Sequence, residues 1–338
     1  MIKSRSARII LAATGVLALF FAAAACMFLS SIFRTPDLKD LPPYHPFKSQ
    51  DAKQRYLEHY DNREAGWPVP AVSRYIDTSY GKTYVRICGP ETGPVLVLLP
   101  SLNSSSLIWM PNIYGLASVF RIYAVDNIYD SGRSIYSRAL KNADDETAWL
   151  DPLFDGLSLK DNINLAGLSF GGWATAQYAL KHPEKLSGAA LVAPAGTIIN
   201  LPGEFAWRGI LSAIPHRWFM DRFMVGWLFG DLMKQKDPAG KKTLADLSED
   251  AILTLKCFKM KMAVTPTVLS DTELSSFQIP VMFLVGENEK IYPAGAALER
   301  LKNKAPGIRA ELIGGAGHDL TIVKAEEVNR LLIDFFTR

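Results

Sequence analysis

The chain has 338 residues, enough for one large domain with an insertion or for two modest ones. Its apolar and charged fractions, 49% and 21%, are those of a folded globular protein and not of a disordered or fibrous one. The net charge of +3 is concentrated at the start, where Lys3, Arg5, Arg8 and Arg34 supply four positive charges; no basic tract follows, so nothing in the charge supports a nucleic-acid partner.

Residues 1–8 form a basic flank, and residues 9–33 are apolar with few breaks. As a helix, those 25 residues would extend roughly 37 Å, enough to cross a bilayer with some tilt. Cleaved signals usually have shorter apolar stretches. We expect an uncleaved, single-pass N-terminal anchor in a bacterial membrane, with the basic flank cytoplasmic and the globular part outside. Two rival readings stand beside it. Cleavage near Ala23-Ala24-Ala25 would give a secreted domain, and Cys26 in Ala23-Ala24-Ala25-Cys26 would be the lipidated residue of a lipoprotein. The other two cysteines, Cys88 and Cys257, have no metal-type spacing and either pair or stay free.

Residues 34–48, with Pro36, Pro42, Pro43 and Pro46, read as a stiff linker. A helix follows from Gln50 to about Asn62, closed by Trp67-Pro68-Val69-Pro70. Alternation around 74–78 and 83–87 predicts a hairpin turned at Tyr80-Gly81-Lys82. Val95-Leu96-Val97-Leu98-Leu99 is a buried strand running into Pro100-Ser101-Leu102-Asn103-Ser104-Ser105-Ser106. A helix over 107–119 and a strand over 121–125 come next. Asp126 ends that strand, and the polar loop 127–134 follows. Residues 144–158 have the pattern of a helix with Trp149, Leu150, Phe154 and Leu157 on its apolar side.

The most informative stretch is Ile163 to Gly172. Apolar residues run into Gly167-Leu168-Ser169-Phe170-Gly171, and a helical pattern starts at once. A strand, a very tight turn bearing serine and a helix make a nucleophile elbow. The glycines allow close passage of strand and helix, and the helix N-terminus adds positive dipole beside the serine oxygen. A further strand spans 189–193. The β–α repetition from 95 to 193, with continuously apolar strands, predicts an α/β chain whose sheet is mostly parallel and covered on both faces.

Residues 195–275 break this rhythm with helical segments rich in Phe, Trp and Met, among them Phe205, Trp207, Trp218, Phe223 and Trp227. They read as a helical cap inserted into a core made of residues 49–194 and 276–338. Its aromatics could be core, line a substrate pocket or face lipid. The rhythm resumes with a strand over 281–285, a helix from about 294 to 301, a short edge-side strand at 310–313, the glycine-rich loop 314–319, read as flexible, and a last helix over 324–336.

Nucleophilic hydrolysis by serine needs a hydroxyl, an imidazole to move its proton and a carboxylate to orient the imidazole. Ser169 is the nucleophile candidate and His318, in the late glycine-rich loop, the base candidate. Glu289, just after the 281–285 strand, is the favoured acid; Glu287, two residues away, reads as a supporting or surface group, and Asp126, at the end of another strand, as a residue that orders its loop. The order Ser169, Glu289, His318 is that of an α/β-hydrolase. Donors for a developing oxyanion would be the backbone N–H of Phe170 and that of Leu102, with Asn103 as the alternative.

With these motifs in hand, the chain resembles the α/β-hydrolase superfamily, and most closely its bacterial carboxylesterase-like members. The resemblance covers roughly residues 50–336. It is strong at Gly167-Leu168-Ser169-Phe170-Gly171-Gly172-Trp173 and continues at Gly286-Glu287-Asn288-Glu289-Lys290-Ile291-Tyr292 and Gly317-His318. One departure is Pro100-Ser101, where such proteins commonly have His-Gly. The resemblance implies hydrolysis of a small carboxylic ester through an acyl-enzyme, with no metal and no organic cofactor. Acyl transfer, amide hydrolysis, C–C hydrolysis or perhydrolysis would use the same site. A non-catalytic envelope binding protein on the same fold is the reading from a different class.

Overall fold

The computed structural model describes residues 41–259 and 264–338. The predicted anchor, the basic flank, Cys26 and residues 34–40 of the predicted linker lie outside the described residues. No helix among the described residues is long and apolar enough to cross a membrane.

The first element is helix α1 (Gln50–Glu64), started by Ser49, whose hydroxyl accepts the Ala52 N–H. Strands β1 (Ala71–Thr78) and β2 (Gly81–Cys88) form the predicted antiparallel hairpin. β3 (Val95–Leu99) is followed by a 3-10 turn and by α2 (Met110–Leu116). β4 (Arg121–Val125), the two-residue β5 (Ile135–Tyr136) and two short helices, Ala143–Ala148 and Leu150–Gly156, come next. Then come β6 (Ile163–Leu168), α3 (Phe170–Lys181) and β7 (Leu186–Val192). The helical insertion that follows contains α4 (Gly203–Ser212) and α5 (Pro238–Cys257). β8 (Val281–Gly286), α6 (Ala294–Lys304), β9 (Arg309–Ile313) and α7 (Ala325–Phe336) complete the chain.

The strands make one sheet in the order β1-β2-β4-β3-β6-β7-β8-β9, with β5 on β2. From β4 to β9 every pairing is parallel, and only the β1–β2–β5 corner and its junction to β4 are antiparallel. Residues of β3, β6, β7 and β8 are buried on both faces, which is why their sequences read as apolar runs without alternation. One apolar cluster includes Trp149, Phe154, Trp173 and Phe283; a second includes Trp109, Phe120, Val328 and Leu332. Because the parallel strands share a direction, the loops after β3, β4, β6, β8 and β9 gather at one edge of the sheet.

α1 is fixed to this sheet by a buried polar network. Arg86, almost fully buried on β2, pairs with Glu64 at 2.9 Å and lies over the Trp67 ring at 4.4 Å. Tyr60 donates its hydroxyl to Asp126 at 2.9 Å. The chain before α1 is already part of the domain. Phe47 is buried against Phe258, and His45 bonds the Tyr136 carbonyl at 3.2 Å. The proline-rich composition of residues 34–48 conceals this packing, whose partners are distant in sequence.

Between Val192 and Val281 the described residues make only helices, loops and one isolated bridge, Phe47 to Phe258. α4 precedes a short helix, Arg217–Met220, which continues into a π-helical turn, Asp221–Val225. The longest helix among the described residues, α5, packs against both α1 and Arg217–Met220. Cys88 and Cys257 are buried and free.

Candidate active site

Ser169 lies between β6 and α3 with φ 55° and ψ −112°. A side-chain residue in this region costs roughly 1–3 kcal/mol, so the surrounding packing must hold it there. That packing is visible. A methyl group on Gly167 would lie 2.0 Å from the Gly171 carbonyl oxygen, and one on Gly171 would lie 2.5 Å from the Pro100 carbonyl oxygen. Only glycine lets β6, α3 and the end of β3 approach so closely. Ser169 N–H donates to the Val192 carbonyl at 2.8 Å, and its own carbonyl accepts from Trp173 and Ala195.

Glu289 and His318 come from the loops after β8 and β9. His318 Nδ1 is 2.9 Å from Glu289 Oε2 and 3.1 Å from Oε1. The Glu289 side chain is fully buried, and Oε1 also accepts the N–H groups of Lys290 and Ile291. One ring nitrogen of His318 is thereby committed to the Glu289 carboxylate. Burial and then the Glu289 charge push the phenol of neighbouring Tyr292 well above its ordinary range. The two loops are locked together. Asn288 N–H donates to the Ala316 carbonyl at 2.8 Å, and a methyl group on Gly286 would meet the Ala316 and Gly317 carbonyls.

The other two carboxylates take the supporting places expected of them. Glu287 accepts the Gly315 N–H at 3.1 Å on the outside of the loop. Asp126 takes Ser106 N–H, Tyr60 hydroxyl and Arg133 N–H, and so fastens the loops after β3 and β4 to α1.

Phe170 is the first residue of α3, so its N–H has no acceptor within the helix. Neither this N–H nor that of Leu102 finds a hydrogen-bond partner among the described residues. The alternative donor, Asn103, is engaged: its N–H donates to Asp130 Oδ2 at 2.8 Å, with Asn103 itself at φ 55°. Asp130 also takes the Ser131 N–H at 2.7 Å. The loop entered through Pro100-Ser101 is thus held from across the sheet edge by a carboxylate of the β4 loop.

The loop 314–319, read as flexible, is buried from Ala316 onward. The reason is Asp319, which is buried and accepts from Gly317 N–H at 3.2 Å, Asp231 N–H at 3.1 Å and Leu232 N–H at 2.8 Å. Burial, and after it the Asp231 carboxylate nearby, push the Asp319 carboxyl up. Asp231 in turn accepts from Asn288 Nδ2 at 3.1 Å. The residues beside His318 and Glu289 therefore grip the helical insertion. Sequence reasoning missed Asp130, Asp231 and Asp319 in these roles. An aspartate directly after the base candidate was the one local signal, and it did not name its partners. Phe205, Leu228 and Val264 of the insertion are partly buried against the large apolar cluster on this face of the sheet.

Comparisons with known proteins agree with this architecture. Residues 96–331 match the model of the alpha/beta hydrolase family. Carboxylesterase YbfK of Bacillus subtilis is 32% identical over 291 residues, covering 86% of this chain and 96% of that protein. The uncharacterized carboxylesterase nap of the same organism is 32% identical over 299 residues, covering 83% and 92%. The crystal structure of naproxen esterase from Bacillus subtilis superimposes with a TM-score of 0.77 at 32% identity, covering 86% of this chain and 99% of that one.

Proposed function

The chain belongs to the alpha/beta hydrolase family, and from that membership we propose that it is a carboxylesterase acting through Ser169, His318 and Glu289. The observation that carries the site assignment is the buried Glu289–His318 pair at the sheet edge where Ser169 holds strained backbone angles.

With Nδ1 committed to Glu289, Nε2 of His318 is left to take the proton of the Ser169 hydroxyl as Oγ attacks the ester carbonyl. The carbonyl oxygen becomes an oxyanion, which the N–H groups of Phe170 and Leu102 receive. Glu289 stabilises the imidazolium. The carbon–oxygen bond to the leaving alcohol breaks, and His318 returns its proton to that alcohol. Water, deprotonated by His318, then attacks the acyl-enzyme, the bond to Oγ breaks, and the acid departs with Ser169 restored.

The proposal extends to location. The apolar run of residues 9–33 with its basic flank supports attachment to a bacterial membrane, with the globular part on the outer side.

The test is labelling of the full chain with a fluorophosphonate, together with hydrolysis of short p-nitrophenyl esters. Labelling and turnover that both vanish in Ser169→Ala support the reading. A folded wild-type chain that neither labels nor turns over any ester would sink it.

A further inference from the structure

α4 presents an apolar stripe to the outside. Trp207 and Ile210 are 44% and 61% exposed, and Ile214, just past the helix end, is 38% exposed. Their spacing puts them on one face. Trp218 continues the patch at 55% exposure. Ring contacts join the two segments: Trp207 to Phe223 at 6.0 Å, Trp218 to Phe223 at 5.8 Å and Trp218 to Phe219 at 5.0 Å. Single exposed apolar residues are ordinary, but a connected group of this kind marks a contact surface.

The rim is basic. Arg208 and Arg217 are paired with Glu204 and Glu249. The exposed Arg222 lies 5.9 Å over the Phe223 ring and has no carboxylate partner among the described residues. Tryptophan rings flanked by arginine suit the headgroup layer of a bilayer, where the ring is half in hydrocarbon and the guanidinium meets phosphate.

The path of the chain favours that partner. Lys48 N–H donates to the Cys257 carbonyl at 2.8 Å, and Phe47 meets Phe258 at 4.4 Å, so the segment arriving from the apolar run docks at the C-terminal end of α5. Ile252 and Leu255 near that end pack with Met220 and Val225, which adjoin the patch. Residues 41–47 already pack on the domain, and the seven residues 34–40 before them reach at most about 25 Å, so an attached chain keeps this subdomain close to the lipid surface.

We propose that the Trp207–Ile210–Ile214–Trp218 face of the helical insertion lies in the interfacial layer of the bilayer to which residues 9–33 attach the chain. The inference rests on the membrane attachment proposed above and adds a second, independent contact. It holds the insertion at the surface where poorly soluble esters partition.

The test uses the full chain reconstituted in phosphatidylcholine–phosphatidylglycerol vesicles whose lipids are brominated near the headgroup. Bromine quenches tryptophan emission at close range. We expect quenching of the wild type, reduced by more than half in Trp207→Phe/Trp218→Phe. Ile210→Glu/Ile214→Glu should likewise lose quenching, yet still float with the vesicles and turn over a soluble short ester at the wild-type rate. A chain that floats with vesicles but shows no quenching attributable to the two tryptophans overturns the contact and leaves attachment standing. A chain that does not float overturns both. Shielding of the two tryptophans from acrylamide that grows with protein concentration, with no quenching by lipid, would assign the face to a second copy and also overturn the proposal.

Discussion

His318 Nδ1 faces both carboxylate oxygens of Glu289, at 2.9 and 3.1 Å, and the carboxylate is in turn held by the N–H groups of Lys290 and Ile291. This geometry leaves Nε2 as the ring nitrogen for the proton transfer proposed from Ser169. Glu289→Gln keeps the shape but presents an amide, which cannot stabilise the imidazolium. We expect kcat to fall on the order of 10³- to 10⁴-fold, with the melting temperature nearly unchanged. Steady-state kinetics on a p-nitrophenyl ester checks this, and a loss below tenfold would remove Glu289 from the role.

The loop that carries the proposed oxyanion donor Leu102 is held by Asp130, whose two carboxylate oxygens receive Asn103 N–H and Ser131 N–H. Asp130→Asn retains one acceptor and turns the other position into a donor facing an N–H. The loop should shift while Ser169 and His318 stay in place. A fall in kcat is expected, smaller than the roughly 10²- to 10³-fold cost of losing a whole oxyanion donor, with little change in KM. A KM effect without a kcat effect would assign Asp130 to substrate binding instead.

Gly171 separates the start of α3 from the end of β3. In Gly171→Ala the added methyl would meet the Pro100 and Leu99 carbonyl oxygens at 2.5 and 2.7 Å, both backbone atoms that cannot swing aside. Overpacking of this kind costs about 1–3 kcal/mol. Gly295→Ala in α6 is the control, because nothing lies within 4 Å of its added methyl, and a helical alanine there should stabilise by about 0.5–1 kcal/mol. Urea unfolding of the two variants should move in opposite directions. Equal midpoints would show that the elbow relaxes without cost.

The parts legible in the sequence were the local ones. The elbow showed because strand, glycines, serine and helix are contiguous. β3, β6, β7 and β8 showed because burial on both faces requires unbroken apolar runs. The contacts that were not legible join distant positions through single atoms. Nothing near Asn103 indicates that its N–H is taken by Asp130, 27 residues on, so that of the two candidate donors only Asn103 is engaged within the loop network. Lys48 and Leu255 are 207 residues apart, so the packing of the segment before α1 could not be read from its prolines. The loop after β9 looked flexible from its glycines, and the one side chain that buries it, Asp319, finds its partners 87 and 88 residues away in the insertion.

Asp319 also gives a pH signature with a definite sign. Its carboxyl is raised above the ordinary value of 3.8, first by burial and also by the Asp231 charge, against the opposing pull of the Leu232 and Gly317 N–H groups. Below 3.8 the group is protonated in folded and unfolded chains alike. As pH rises past that value, the unfolded chain releases its proton first, so the folded state holds more protons and stability falls with pH. The loss is complete once pH exceeds the raised folded value. Asn has no such titration. The unfolding free energy of the wild type minus that of Asp319→Asn should therefore decline from about pH 4 upward and then level, all other carboxylates being common to both chains. Urea unfolding across the acidic range measures the difference. A difference that rises with pH would mean that the N–H donors from Leu232 and Gly317 outweigh burial, so that the contact between the insertion and the His318 loop is strongest with Asp319 ionised.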